Sequence, residues 1–310
     1  MTKATFIFIS FLLLTLTLIS GGYDASLSGQ LIITTPFLLI LGIPHGAIDN
    51  VLFLRNKKIK HVHFIVGYLL FVSLNVVLWT AAPLIAYLIF LVISAFHFGQ
   101  SQFCHYFNKQ TFVAKLLFFF WGSTLLSGLL YLNYNETQII MDLYKEFDQF
   151  RVLHRKIGLL YFFSVSVSLT IIFTVILTYK RLLTIENMFM EFLVLTLILS
   201  AFYLLPLLIG FTLYFIILHA FKVMREEYHF LKIEQQIVSL RGFISLVAPF
   251  TVISIVGILI LFGCIYSNLV NLSYGYSLLI AFSSITLPHA YVMNGFYLLT
   301  YNKQYSANMK

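Results

Sequence analysis

Apolar residues fill long stretches of this chain, and short polar segments separate them. A helix needs about 20 predominantly apolar residues to cross the roughly 30 Å hydrocarbon core of a bilayer. The apolar stretches approach or exceed that length at residues 4–20, 31–54, 63–81, 83–103, 112–132, 157–179, 187–221, 243–266 and 274–300. The pattern predicts an all-α fold: a polytopic transmembrane helical bundle of about eight to ten spans, with residues 1–310 forming one domain.

The stretch at 187–221 is too long for one span, because at 1.5 Å per residue it would measure about 50 Å. Pro206 and Gly210 interrupt it, so we predict two shorter helices hinged near Pro206 and ten crossings in all. With the N-terminus inside, 15 of the 19 Lys and Arg residues fall in inner loops and tails, including a cytoplasmic loop at 222–242. This is the bias that the positive-inside rule expects. The other four lie in 133–156, which we predict to be an external loop or amphipathic helix.

Residues 4–20 follow Lys3 and resemble the apolar core of a signal peptide. No clear small-x-small cleavage site follows them, so we predict that this segment is retained as a helix.

Composition agrees with a membrane protein. Hydrophobic residues make up 60% of the chain and charged residues 10%, whereas soluble domains have about 25% charged residues. The net charge of +8 is explained by basic loops that hold the topology, and no basic-aromatic groove indicates nucleic acid. Cys104 and Cys264 form no CxxC pair and are interpreted as buried thiols.

Four of the nine histidines lie inside apolar spans, where polar groups are costly and often functional. They are His45, His97, His219 and His289. Counted from the nearest inner basic residue, three of them lie roughly 15–21 Å deep and His219 only roughly 5 Å. The other five are predicted to be solvated or interfacial, because they lie at span ends or in charged loops: His61, His63, His105, His154 and His229.

Imidazole nitrogens suit iron, zinc, copper and nickel, so four histidines at similar depth predict a shared metal ion. Four separate histidines, each bonded to nearby polar groups, remain the alternative. Asp49 lies four residues after His45 and is a candidate for a carboxylate that orients a ligand histidine. Gln100, Gln102 and Asn294 are weaker candidates for similar support.

Several familiar enzyme classes are excluded by missing motifs. The chain lacks the HxxxH and HxxHH boxes of membrane di-iron desaturases, the adjacent histidines of haem-copper oxidases and the deep Schiff-base lysine of opsins. It also has no GxSxG, HExxH or Walker motif.

The histidine contexts resemble the bacterial Brp/Blh family of membrane β-carotene 15,15'-dioxygenases. The matching pieces, in the family's order, are Gly42-Ile43-Pro44-His45-Gly46-Ala47-Ile48-Asp49, Ser94-Ala95-Phe96-His97-Phe98-Gly99, His219-Ala220-Phe221-Lys222 and Leu287-Pro288-His289. The resemblance implies an enzyme of the bacterial inner membrane that uses Fe(II) and O₂ to cleave the central double bond of β-carotene into two retinal molecules. It also implies a functional link to a microbial rhodopsin.

One position departs from the family pattern. Many members carry a second histidine four residues after the third site, where this chain has Val223, which cannot ligate a metal. We therefore predict that His45, His97, His219 and His289 hold the iron.

Two other functions stay open at this point. A non-catalytic carotenoid- or retinal-binding membrane protein would need the apolar tunnel but no metal. A small transporter with a histidine proton relay would need a hydrated path and usually more intramembrane acids.

Overall fold

The computed structural model describes residues 3–23, 25–54, 60–234 and 239–308, with side chains described up to residue 301 except at residue 234. Within these ranges the chain is helical and has ten helical segments long and apolar enough to cross a membrane. They are Lys3–Ser20, Leu27–Leu54, His61–Ala81, Pro83–Tyr106, Phe112–Leu132, Lys156–Tyr179, Ile185–Leu204, Leu207–Ile233, Leu240–Tyr266 and Tyr274–Tyr301. The predicted all-α polytopic bundle is confirmed.

The α-helices are numbered in chain order. They are α1 Lys3–Ser20, α2 Leu27–Phe37, α3 Asp49–Leu54, α4 His61–Ala81, α5 Pro83–Phe103, α6 Phe112–Leu132, α7 Tyr134–Leu143, α8 Lys156–Tyr179, α9 Ile185–Leu204, α10 Leu207–Tyr214, α11 Phe221–Glu234, α12 Leu240–Tyr266 and α13 Tyr274–Asn308. A π-helix, Leu38–Gly42, and a 3₁₀ turn, Ile43–Gly46, link α2 towards α3. A second π-helix, Phe215–Ala220, joins α10 to α11.

The long apolar stretch at 187–221 forms two helices separated near Pro206, as predicted. Helix α9 ends at Leu204, and Pro206 is the N-cap of α10. Proline has no N–H to donate and disfavours helix in the residue before it, so the break follows from the sequence.

One segment differs from expectation. The region 222–242 was expected to be a cytoplasmic loop, but α11 continues through it to Glu234, because an apolar stripe on this helix packs inward at Val223 and Leu231. His219 therefore lies near the middle of the Leu207–Ile233 segment and not close to its inner end.

The segment 133–156 is partly helical, as α7 and a 3₁₀ turn at Lys145–Phe150. His154, which was expected to be solvated or interfacial, is instead buried. One ring nitrogen lies 3.0 Å from the Tyr87 hydroxyl and the other 2.9 Å from the Phe150 carbonyl oxygen. Its two partners explain why a histidine within a charged segment turns inward.

Helices α5 and α6 approach so closely that only glycine fits at their contact. A Cβ atom added at Gly99 would lie 1.8 Å from the carbonyl oxygen of Phe118, and one added at Gly122 would lie 1.8 Å from that of Ala95. Small residues allow such backbone contact in membrane bundles. Because Gly99 lies two residues after His97, this contact fixes the helix that carries His97.

Candidate metal centre and apolar cavity

The four intramembrane histidines come from four different segments, and the backbone is irregular at two of them. His45 lies in the 3₁₀ turn that follows the first π-helix, and His219 lies within the second π-helix. His97 belongs to α5, and His289 follows Pro288 within α13. Single π-turns often occur at functional sites, since they shift a side chain away from its regular helical direction.

The four imidazole rings lie next to one another, with their centroids near the corners of a square. Ring centroids are 4.8 Å apart for His45 and His289, 5.3 Å for His45 and His219, and 5.1 Å for His97 with each of His219 and His289. Neighbouring ring planes are inclined by 77° to 82°. Such an arrangement brings four imidazoles, from chain positions 45 to 289, around one small space.

The protein holds the Nδ1 side of three of these rings. His289 Nδ1 lies 2.9 Å from Asp49 Oδ1, and His45 Nδ1 bonds to the Gly42 carbonyl oxygen. His219 Nδ1 lies 3.0 Å from Ser101 Oγ. The Ser101 hydroxyl donates to the Phe98 carbonyl oxygen, so it accepts from His219. These bonds assign the proton to Nδ1 and leave Nε2 with a lone pair, which is the form that binds a metal.

The inward nitrogens have no protein partner. His97 Nδ1 and Nε2, His219 Nε2 and His289 Nε2 are all buried without a hydrogen bond. One nitrogen from each of His45, His97 and His289 forms a set whose members all lie within 4.8 Å of one another. Since buried polar atoms are nearly always satisfied, the donor set fits a metal ion.

The predicted supporting residues divide into two groups. Asp49 is buried and bonds to His289, although its sequence position suggested His45, and its Oδ2 accepts a bond of 3.3 Å from the Tyr68 hydroxyl. Gln100 and Asn294 bond to each other at 2.8 Å and so tie α5 to α13, the helices of His97 and His289.

Gln102 has different partners. Its side chain donates to Glu191 at 2.7 Å, and its carbonyl oxygen accepts from Lys222 at 2.9 Å. The residue therefore links α5 to α9 and α11.

Val223 is fully buried in a hydrophobic cluster with Ile48, Cys104 and Met293. The position at which many family members have a histidine is therefore part of the apolar packing in this chain.

Sequence reasoning missed Ser101 and Tyr68, which hold His219 and Asp49. Ser101 lies four residues after His97, so helical periodicity alone brings both side chains to one face of α5. Tyr68 has no such local signal, because its partner lies 19 residues away on another helix.

The histidines face an apolar cavity of about 700 Å³. Its wall includes all four histidines together with aromatic and aliphatic side chains of α4, α6, α10, α12 and α13. Several lining residues are also largely exposed, among them Ile65 (46%), Leu69 (57%) and Ile253 (66%). Because these residues lie on α4 and α12, we infer that the cavity opens to the apolar surface between the two helices.

Fold and site together define a multi-pass membrane protein with a four-histidine centre beside an apolar cavity. The chain matches the family described as Beta-carotene 15,15'-dioxygenase over residues 37–297, which include all four histidines, and it belongs to that family. No curated protein and no solved structure matches the chain.

Proposed function

We propose that this protein is an Fe(II)-dependent dioxygenase that cleaves the central 15,15' double bond of β-carotene with O₂ to give two retinal molecules. The observation that carries the proposal is the square of imidazoles, with free inward nitrogens, in the wall of an apolar cavity that reaches the lipid-facing surface. Membership of the family supplies the substrate class.

The ligand set would be His45, His97, His219 and His289. His289 would provide the fourth imidazole in the absence of a histidine at position 223. Four neutral nitrogens suit Fe(II), although they also suit zinc and copper, so the iron assignment rests on the family's chemistry. When bound, the metal would activate O₂.

Asp49 and Ser101 would keep the imidazoles in position. Each accepts the Nδ1 proton of one histidine, so the ring cannot rotate and its Nε2 stays available. No side chain is required as a nucleophile. The cleavage reaction is balanced, because the carbon–carbon double bond breaks and each of its two carbons gains one oxygen atom of O₂.

The cavity would bind the substrate, a rigid polyene, and position it beside the histidines. Phe98 and Phe215 pack against His219, with ring centroids 4.9 and 5.4 Å from it, and both line the cavity. Apolar walls exclude water and hold the double bond beside the centre, which is catalysis largely by positioning.

The opening between α4 and α12 gives β-carotene a route from membrane lipid. We also propose that the protein resides in the bacterial inner membrane and that its retinal serves a microbial rhodopsin.

Expression in a β-carotene-producing bacterium tests the proposal. We expect loss of the orange colour and the appearance of retinal, with His45→Ala as the inactive control. A coloured purified protein that binds carotenoid without turnover would instead identify a carotenoid-binding protein, and full activity after removal of metal would refute the iron assignment.

A further inference from the structure

A second group of polar side chains lies about two helical turns beyond the histidines. Glu227 is eight residues after His219 on α11, and Tyr297 is eight residues after His289 on α13. Eight residues correspond to about 12 Å along a helix. Both helices run here towards the ends that the positive-inside rule assigns to the cytoplasm.

These side chains are buried without partners. Glu227 and Tyr297 are both 0% exposed, and neither the two carboxylate oxygens of Glu227 nor the Tyr297 hydroxyl has a hydrogen bond. Oε2 of the neighbouring Glu226 is buried and unpaired as well. A buried carboxylate without a donor is costly, so such atoms usually contact water or an ion.

The group connects the inner surface with the histidines. Glu226 is partly exposed, and Glu227 lies close enough to Glu226 and to Asp49 for their charges to interact. Tyr297 likewise lies close enough to both glutamates for their charges to act on it, although its hydroxyl has no hydrogen bond. Asp49 in turn bonds to His289. Side chains that carry oxygen atoms thus lie between the partly exposed Glu226 and the imidazole ring of His289.

A metal ion needs a polar route to the centre, because the histidines lie within membrane-spanning helices and the hydrocarbon core of a bilayer excludes ions. Among the described residues, His45, His97 and His289 form the one tight group of potential metal ligands. The glutamates would bind a cation more weakly and release it to the imidazoles, which bind later transition metals more tightly than oxygen ligands do.

We propose that Glu226, Glu227 and the Tyr297 hydroxyl form a transient divalent-cation site through which the histidine centre is loaded from the cytoplasmic side. This inference rests on the proposed metal centre and adds a site and a role that the oxygenase chemistry does not require.

The test follows metal uptake and needs no turnover. Metal-stripped full-length protein in lipid nanodiscs is mixed rapidly with Co²⁺, and the visible absorption of the cobalt–imidazole complex is recorded. We expect Glu227→Gln to slow loading by about tenfold or more and Glu227→Asp to stay near the wild-type rate. Glu186→Gln, which removes one exposed carboxylate at the first turn of α9, should load at the wild-type rate.

Final cobalt content and spectrum should be the same in all variants, since the histidines are unchanged. Tyr297→Phe is a second variant that keeps every charge and should also slow loading. Wild-type loading rates in both Glu227→Gln and Tyr297→Phe would overturn the route while leaving the metal centre intact. A wild-type protein that takes up no cobalt would overturn the centre and the route together.

Discussion

Asp49 Oδ1 lies 2.9 Å from His289 Nδ1, and the two residues are 240 positions apart in the chain. Both are buried, at 3% and 2% exposure. A carboxylate that accepts the Nδ1 proton makes the opposite nitrogen a better ligand and prevents the ring from turning. The pair therefore joins α3 to α13 at the candidate metal centre.

Removing this carboxylate should weaken metal binding. We expect Asp49→Ala to lower the affinity for Fe(II) or Co²⁺ by about 10- to 100-fold, as measured by competition with a chelator. Glu186→Ala is the control, because it removes an exposed carboxylate at the first turn of α9, away from the histidines, and should leave the affinity unchanged. Equal affinities in wild type and Asp49→Ala would show that the pair has no such role.

Each of the four central histidines should be required for the metal. Single replacements of His45, His97, His219 or His289 by alanine are expected to abolish retinal formation and to reduce iron content, measured by elemental analysis of purified protein. His229→Ala, at an exposed position on α11, should change neither. Full activity of His289→Ala would mean that the other three histidines suffice. It would also mean that nothing has to replace the histidine that many family members have at the position of Val223.

The contact between α5 and α6 should tolerate no added carbon. We expect Gly99→Ala or Gly122→Ala to lower the free energy of unfolding by about 1–3 kcal/mol, because each new Cβ would lie 1.8 Å from a backbone oxygen. The thermal unfolding midpoint in detergent is the measurement. Gly67→Ala on α4 has open space around its Cβ and serves as the control. A stable Gly99→Ala protein would show that the helices can separate without cost.

A bulky side chain at the opening should hinder the substrate. Leu69 and Leu70 are neighbours with similar exposure, 57% and 58%, but Leu69 alone of the two lines the cavity. We expect Leu69→Trp to raise the KM for β-carotene in lipid vesicles and Leu70→Trp to leave it unchanged. Equal kinetics for the two variants would exclude access between α4 and α12.

Stability should fall in mild acid because of His154. Burial lowers the pKa of His154 below its usual 6.5, although its bond to the Phe150 carbonyl opposes this. Between the folded pKa and 6.5 the unfolded chain binds more protons, so stability is present above about 6.5 and is lost as the pH falls through that window. His154→Gln should flatten this part of the profile of unfolding midpoint against pH. An unchanged slope would assign the acid sensitivity to other groups.

The sequence alone determined the membrane class, a range of about eight to ten spans and the break at Pro206. In lipid each backbone polar group must be satisfied within its own helix, and such helices appear in the sequence as long apolar runs. It also singled out the four histidines, since polar residues are rare in such runs. Only the tertiary structure decided that Asp49 serves His289 and not His45, that Ser101 holds His219 and that Glu227 is buried. Those relationships depend on how helices far apart in the chain pack and rotate against one another, which periodicity along one helix does not specify.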